Sequence, residues 1–330
     1  MRQPRRSRSF IRPITAVILA ACALGIYFNQ ALIRDSVMAW NYQPTAAIEK
    51  LSDRMQLTGT GQRYFYANNP HISKAEDFNT RCGDIEVTSV VLGCYTGTGI
   101  YLYDVESDEL DGIEETTAAH EMLHAAYDRL SGSQREKINR LLVKAGDKLE
   151  HDPVFAKRMS VYNSLSRDDR INELHSVVGT EVANLDPALE EYYAGLFEDR
   201  ARIVALYVSY ATVFADLQKQ SEKLAAQLDA QAKSINARVA NYETQARQLN
   251  AAIKSFNLRA SSGDFSSQNQ FDSERSQLTT WSSQLGAERA AINAAIAQYD
   301  VDVKKFNSVA SHIAELNNSI SSRPSVPAEV

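Results

Sequence analysis

The chain has 330 residues, of which 44% are hydrophobic and 23% charged, and its net charge is −6. This length suffices for one or two domains, and the composition is that of a folded protein. The acidic balance excludes a general nucleic-acid binder, and three cysteines exclude a disulfide-dense scaffold or a four-cysteine zinc site. A mean hydropathy of −0.34 excludes a polytopic membrane protein.

The N-terminus combines a basic cluster with an apolar run. Residues 1–12 hold five arginines and no acid, and the run Ile14–Phe28 follows. Counted to Ile33, the segment is long enough for a helix to span a bilayer core of about 30 Å. Because basic residues stay on the cytoplasmic side, we expect a cytoplasmic tail over 1–12, a signal anchor over 13–33 and an extracytoplasmic remainder.

Two alternatives use the same segment. The tetrapeptide Leu19–Cys22 resembles a bacterial lipobox, which would make Cys22 a lipidated N-terminus, and a cleaved signal peptide would give a secreted protein. The apolar run continues past Cys22 to Phe28, and no convincing small-x-small cleavage site follows it. A single-pass anchor in the cell membrane is therefore favoured, and residues 34–60 are predicted to be a linker.

The two remaining cysteines, Cys82 and Cys94, lie in the exported part, twelve positions apart. In an oxidising compartment such a pair can form a disulfide, and two free thiols are the alternative. Two segments rich in β-branched and aromatic residues, 86–95 and 99–105, surround a Thr-Gly-Thr-Gly turn. They predict a β-hairpin.

A helix is predicted from about Ile113 to Leu130, with Gly132 as its stop, and it carries an HExxH pattern. Residues four apart lie about 40° apart on a helix, so the imidazoles of His120 and His124 can reach one point. Glu121 lies on the adjoining flank, where it can take a proton from a water that zinc has made acidic. The pattern predicts one zinc ion per chain and Glu121 as the general base.

A catalytic zinc of this kind needs a third protein ligand and an open position. The segment 170–182 is predicted to be a helix, and three of its side chains can bind zinc: Glu173, His175 and Glu181. The residues after His124 do not match HExxHxxGxxH, which excludes the metzincin class.

The HExxH helix and the later Asn172–Ser176 segment together resemble the gluzincin metallopeptidases, which include thermolysin-like enzymes and membrane-bound heat-shock proteases. The resemblance covers about residues 85–205, within a zincin-like domain expected over 61–211. It implies Glu173 as the third ligand, with Glu181 and His175 as alternatives. The chain departs from the family at Val177, where an aspartate often orients a zinc histidine. Glu181 or Asp199 is expected to replace that aspartate.

Members of this group also tend to place an edge strand upstream of the HExxH helix, where a peptide substrate adds by backbone pairing. The segment 99–105 is expected to be that strand. Side chains able to stabilise an oxyanion, or else to pack as structural residues, are His175, Tyr192, Tyr193 and Arg200.

The C-terminal third shows apolar residues at heptad spacing on both sides of a Ser-rich segment. The pattern predicts an antiparallel coiled-coil hairpin over 212–320, with a loop at about 259–272 and a disordered tail over 321–330. The hairpin would serve as a spacer, as a docking arm for a partner protein or a second copy, or only as a stalk that stabilises the protease domain.

The expected fold class is α+β and predominantly helical, with a zincin-like catalytic domain between one transmembrane helix and the hairpin. The expected function is that of a membrane-anchored extracytoplasmic zinc peptidase acting on protein or peptide substrates. The alternative is a non-enzymatic envelope scaffold that works through its coiled coil and keeps only a vestigial or structural zinc site. It predicts that deletion of 212–330 abolishes function while Glu121→Gln does not.

Overall fold

A computed structural model describes residues 27, 29–83 and 91–323. This part of the chain is predominantly helical, as predicted, with three short strands. It divides into two compact units: the first comprises Met1–Val213 and Leu316–Val330, and the second comprises Phe214–Glu315.

In the described part of the first unit, three helices come first, where the sequence predicts a linker over 34–60: α1 (Gln30–Asn41), α2 (Ala46–Met55) and α3 (Gly59–Ala67). The hydroxyls of Thr45 and Thr58 accept backbone N–H groups at the N-termini of α2 and α3. Ile48 and Met55 are fully buried in the main core. The linker prediction is wrong because α2 presents an apolar face at helical spacing, which these side chains bury.

The three strands β1 (His71–Ser73), β2 (Gly93–Tyr95) and β3 (Ile100–Tyr103) form one sheet in the order β1-β3-β2. Strand β3 is parallel to β1 and antiparallel to β2, so the predicted hairpin of β2 and β3 is confirmed, with shorter strands. Much of the first predicted strand falls in 84–90, outside the described residues. The expectation that 99–105 forms an edge strand is wrong, because β1 and β2 flank β3 on both sides.

Helix α4 (Ala75–Cys82) lies between β1 and β2 in the sequence, and α5 (Ile113–Asp128) follows the sheet. Helix α5 starts as predicted, after Gly112, whose φ of 98° suits glycine. Its apolar side chains are almost all buried, because it packs against the sheet and other helices of the core. Gly132 is not its stop but the first residue of α6 (Gly132–Leu149), which a capping box of Ser131 and Gln134 initiates.

Three further helices of the first unit follow: α7 (Pro153–Ser160), α8 (Arg167–Glu181) and α9 (Pro187–Ala194). Helix α8 packs along α5. A Cβ built at Gly179 would lie 2.5 Å from Cδ1 of Leu123, so this glycine permits the close approach of the two helices. The pairing of α5 with α8 brings the two predicted ligand segments side by side.

The second unit consists of parts of two long helices, α10 (Arg200–Ser262) and α11 (Gln268–Ser319). Within this unit the helices run antiparallel, since Arg238 pairs with Glu288 near the middle and Arg259 pairs with Glu274 near the turn. The predicted loop over 259–272 is too long, because only 263–267 are non-helical. The rings of three phenylalanines pack together around this turn: Phe256, Phe265 and Phe271.

The end of the described chain returns to the first unit, where a disordered tail was predicted from 321. Ser322 is buried, and its carbonyl accepts a hydrogen bond of 2.6 Å from the Asn79 amide. Arg323 donates to the carbonyl of Gly83 at 3.2 Å. These contacts order 321–323, and the rest of the predicted tail, 324–330, lies outside the described residues.

Most of the predicted anchor, including Cys22 and the arginine cluster, also lies outside the described residues. Within the described part, no helix combines the length and the apolar character needed to cross a bilayer. The last predicted anchor residues, 30–33, belong to α1.

Candidate metal centre

The two histidines of the HExxH pattern lie one turn apart on α5 and point to the same place. Their rings meet edge to face, with centroids 4.9 Å apart. Both imidazoles line the same cleft, which has a volume of about 370 Å³. Most of the neighbouring residues on α5 are buried.

Glu173 reaches the same point from α8. One carboxylate oxygen lies 3.3 Å from Nε2 of His120, and the other lies 3.6 Å from Nε2 of His124. One candidate ligand atom from each of the three residues lies within 4.8 Å of the others. Of the three predicted candidates for third ligand, the structure therefore brings Glu173 to the histidines.

The far nitrogen of His124 is also held in place. Its Nδ1 lies 3.1 Å from Oδ1 of Asn172 and 3.4 Å from Oγ of Ser176. Because the amide oxygen of Asn172 only accepts, Nδ1 is the donor in this contact, and Nε2 is the nitrogen turned toward Glu173. The expectation that Glu181 or Asp199 orients a zinc histidine is wrong for His124, since Asn172 and Ser176 take that position.

The pKa values of the cluster follow from burial and from mutual contact. Burial would lower the pKa of His120, but the hydrogen bond and charge of Glu173 outweigh it and raise that pKa. Burial would likewise raise the pKa of Glu173, but contacts with His120 and His124 lower it to about 2. Glu173 is therefore ionised near neutral pH, as a metal-binding carboxylate must be.

Glu121 lies in the wall of the same cleft and is almost fully buried. Burial raises the pKa of its carboxyl, while the nearby imidazoles and a backbone hydrogen bond from Tyr95 oppose this increase. A raised pKa brings a carboxylate closer to the range in which it can both accept and release a proton.

Strand β2 forms one wall of the cleft beside Glu121. A disulfide attaches this strand to α4, because the sulfurs of Cys82 and Cys94 lie 1.96 Å apart, at disulfide distance. Both cysteines are buried and pack with Phe78 in one small apolar cluster. Cys94 is the central residue of β2, between Gly93 and Tyr95. The predicted pair is thus brought together next to the candidate site.

The opposite part of the cleft contains a polar cluster that the sequence did not reveal. Arg158 on α7 donates to Glu181 at 2.9 Å and to the hydroxyl of Tyr162 at 2.7 Å. Burial and the charge of Glu173 raise the pKa of Tyr162, although Arg158 opposes them. Glu181 is therefore the ion-pair partner of Arg158 and not a third ligand. No local pattern marks Arg158 or Tyr162, and only the packing of α7 places them here.

The other predicted site residues lie outside the cleft. Nε2 of His175 is 2.8 Å from the hydroxyl of Tyr192, and the ring is enclosed by the aromatic side chains of Tyr127, Tyr192 and Tyr193. Burial and the charges of the site histidines lower the pKa of His175 to about 3, so it is neutral. It does not belong to the ligand cluster, and neither Tyr192 nor Tyr193 lines the cleft.

Arg200 does not line the cleft, and its contacts are with the helices and loop of the protein core. Its guanidinium donates to Glu190 and to the carbonyls of Val182 and Ala183, just past the end of α8. A cation at this position complements the C-terminal end of the helix dipole. Of the two roles expected for Arg200, oxyanion stabilisation or structural packing, these contacts support the structural one.

Comparisons of the chain with family models, with curated proteins and with solved structures give no match.

Proposed function

We propose that this protein is a zinc-dependent peptidase, anchored in the cell membrane with its catalytic domain outside the cytoplasm, of the gluzincin type. The single observation that carries the proposal is the convergence of His120, His124 and Glu173 beside Glu121. The sequence supports the anchor through its basic cluster and apolar run.

The donor set fits zinc. Two imidazoles and one carboxylate are the ligand types found in catalytic zinc sites that keep an open position. Tetrahedral coordination with bonds of 2.0–2.1 Å separates ligand atoms by about 3.4 Å. The contacts of Glu173 with the two histidines, 3.3 and 3.6 Å, agree with that separation.

A bound zinc would supply Lewis acidity, which polarises a peptide carbonyl and makes a water molecule acidic near neutral pH. Glu121 would take one proton from the attacking water as its oxygen bonds to the carbonyl carbon. The same carboxyl would then give that proton to the amide nitrogen as the C–N bond breaks, which leaves a carboxylic acid and an amine. The raised pKa of Glu121 suits both steps.

The walls of the cleft favour an extended peptide as the substrate. In the described sheet, β2 pairs with a neighbour on one side only, and its residues line the cleft. An extended peptide adding to that edge would lie beside Glu121. Tyr162, whose hydroxyl accepts from Arg158 and keeps its own proton to donate, would supply a hydrogen bond to the developing oxyanion.

For the second unit we propose an antiparallel coiled-coil hairpin that acts as a spacer or docking arm. Heptad spacing in the sequence and the cross-helix pairs Arg238–Glu288 and Arg259–Glu274 support this proposal.

The deciding experiment measures zinc content and peptide hydrolysis in the full chain. Glu121→Gln should keep one zinc per chain and lose hydrolysis by about 100-fold or more. His124→Ala should lose both, while His151→Ala, which removes an exposed histidine, should lose neither. A Glu121→Gln protein that cleaves as well as wild type would disprove the mechanism, and wild-type protein without zinc would disprove the metal site.

A further inference from the structure

Helix α1 packs on the protein with a charged residue facing inward, and it leaves large apolar side chains exposed. The acid Asp35 is buried, and its carboxylate accepts a hydrogen bond of 2.5 Å from Nε of Arg129, the residue that follows α5. Ala39, one turn further, is half-buried. The side of α1 that faces the protein is thus held by a charged pair and a small residue.

The outward side carries an apolar stripe. Successive helical residues differ by 100°, so Ile33, Val37 and Trp40 fall within about 60° of one another, nearly opposite Asp35. They are 43%, 49% and 88% exposed. Leu32 and Met38, which lie about 60° to either side of Asp35, are exposed as well.

Such clustering is not seen elsewhere in the described part of the chain. Twelve large hydrophobic side chains are exposed there, and five of them lie in the nine residues from Leu32 to Trp40. Isolated exposed apolar residues are normal on a protein surface, but a contiguous patch indicates a partner. No acid faces outward among these residues, and Arg34 is the one exposed charge on α1.

The chain that precedes α1 indicates what kind of partner would fit this face. The apolar run Ile14–Phe28 ends two residues before the first residue of α1, whose N-cap is Asn29. As a helix, the run of 15 residues is about 22 Å long, so it would cross most of a bilayer core of about 30 Å and leave α1 at the outer boundary of that core. A second apolar surface directly after it would therefore lie at the membrane interface, where tryptophan is enriched.

We propose that α1 lies along the outer surface of the bilayer, with Ile33, Val37 and Trp40 inserted among the lipids and the Asp35–Arg129 pair attaching it to α5. The occupant of this face is thus a phospholipid surface. This inference rests on the proposed anchor but not on the proposed peptidase activity.

The test uses the full chain, which contains two tryptophans, Trp40 and Trp281. Trp281→Phe leaves Trp40 as the single fluorophore, and the protein is reconstituted into phosphatidylcholine–phosphatidylglycerol vesicles. Replacing phosphatidylcholine with its dibrominated form should quench Trp40 by about half, because bromine quenches on close approach and Trp40 would lie at the interface. Acrylamide in the aqueous phase should quench it weakly.

A matched pair of variants shows whether the bromolipids quench Trp40 because the apolar stripe contacts the lipids or only because the anchor holds α1 near the bilayer. Ile33→Ser with Val37→Ser should reduce bromolipid quenching of Trp40 and increase acrylamide quenching. Val154→Ser with Val208→Ser removes two exposed valines from other helices and should change neither. The anchor is identical in both proteins, so a difference reports on the stripe.

Each other outcome overturns the proposal. Acrylamide quenching without bromolipid quenching would place the stripe in water, and quenching by neither would indicate a protein partner or a second copy. Full chain that does not float with vesicles would overturn the anchor as well. Glu121→Gln should leave bromolipid quenching unchanged, so failure of the peptidase proposal remains distinguishable.

Discussion

Gly93 and Glu121 are so close that a side chain at position 93 would displace the carboxylate: a Cβ built on Gly93 would lie 2.9 Å from Cγ of Glu121. The same atom would lie 2.6 Å from Cγ2 of Thr117. Strand β2 can approach α5 only because this residue has no side chain. Its backbone therefore fixes the position of the proposed base.

Gly93→Ala should lower peptide hydrolysis by about 10- to 100-fold, because small displacements of a catalytic group are costly. Zinc content should stay at the wild-type level, since none of the ligands contacts position 93 in this way. The matched control is Gly59→Ala, where an added Cβ meets nothing within 4 Å. Equal activity in Gly93→Ala and Gly59→Ala would contradict the positioning role.

Asn172→Ala should weaken zinc binding by about 10- to 100-fold, because Nδ1 of His124 loses the acceptor that orients the ring. Zinc competition with a chromophoric chelator measures the change. Asn163→Ala, at an exposed position on the approach to α8, serves as the control. Unchanged affinity in Asn172→Ala would show that the contact does not support a metal ligand.

Asp35→Ala should lower the free energy of unfolding of the protein by about 3–5 kcal/mol, because it leaves the largely buried guanidinium of Arg129 without its partner. Asp229→Ala breaks an exposed pair with Lys233 and should cost less than about 1 kcal/mol. Denaturant unfolding followed by circular dichroism measures both. Similar losses in the two variants would mean that the buried pair contributes little.

The carboxylate of Asp302 gives the second unit a defined pH dependence. Hydrogen bonds from Gln231, Lys305 and Gln298 lower its pKa to about 2, whereas an aspartate in an unfolded chain titrates near 3.9. Its contribution to stability is therefore complete above the unfolded pKa and is lost as the pH falls through the folded pKa. Asp302→Asn should thus be less stable than wild type at pH 6, and the difference should shrink between pH 4 and pH 2.

Thermal unfolding of both proteins across this pH range measures that difference. Asp300→Asn, at an exposed position on the same helix, should show no such convergence. A gap between wild type and Asp302→Asn that is constant down to pH 2 would exclude the carboxylate as its source.

The parts of the site that the sequence predicted are those that depend on local spacing. Residues four apart on a helix share a face, so HExxH determines the pairing of His120 with His124 before any tertiary contact is known. The short second pattern that predicts Glu173 also contains Asn172 and Ser176, but it does not predict their contact with His124.

The remaining parts depend on which elements become neighbours. Arg158 and Tyr162 enter the cleft because of how α7 packs, and no repeat or motif marks them. Within the described sheet, β2 lies at the edge because β3 also pairs with β1, which is about 30 residues earlier in the chain. The patterns that predict single strands do not predict this pairing. His175 has a side chain that can bind a metal, but its position on α8 directs it toward tyrosines. Only the packed structure shows that Glu173, and not His175, lies beside the two histidines of α5.

The hydrogen bond from Asn79 to Ser322 brings the end of the described chain back to the first unit, so the second unit is an insertion in the sequence of the first unit. Removing everything from residue 212 onward would therefore also strip a packed piece from the first unit. Excising only Phe214–Glu315, and rejoining the flanking segments with a short flexible connector, would retain that piece. The first unit can then be tested as a self-contained module, and a second, unrelated arm can be grafted at the same junction.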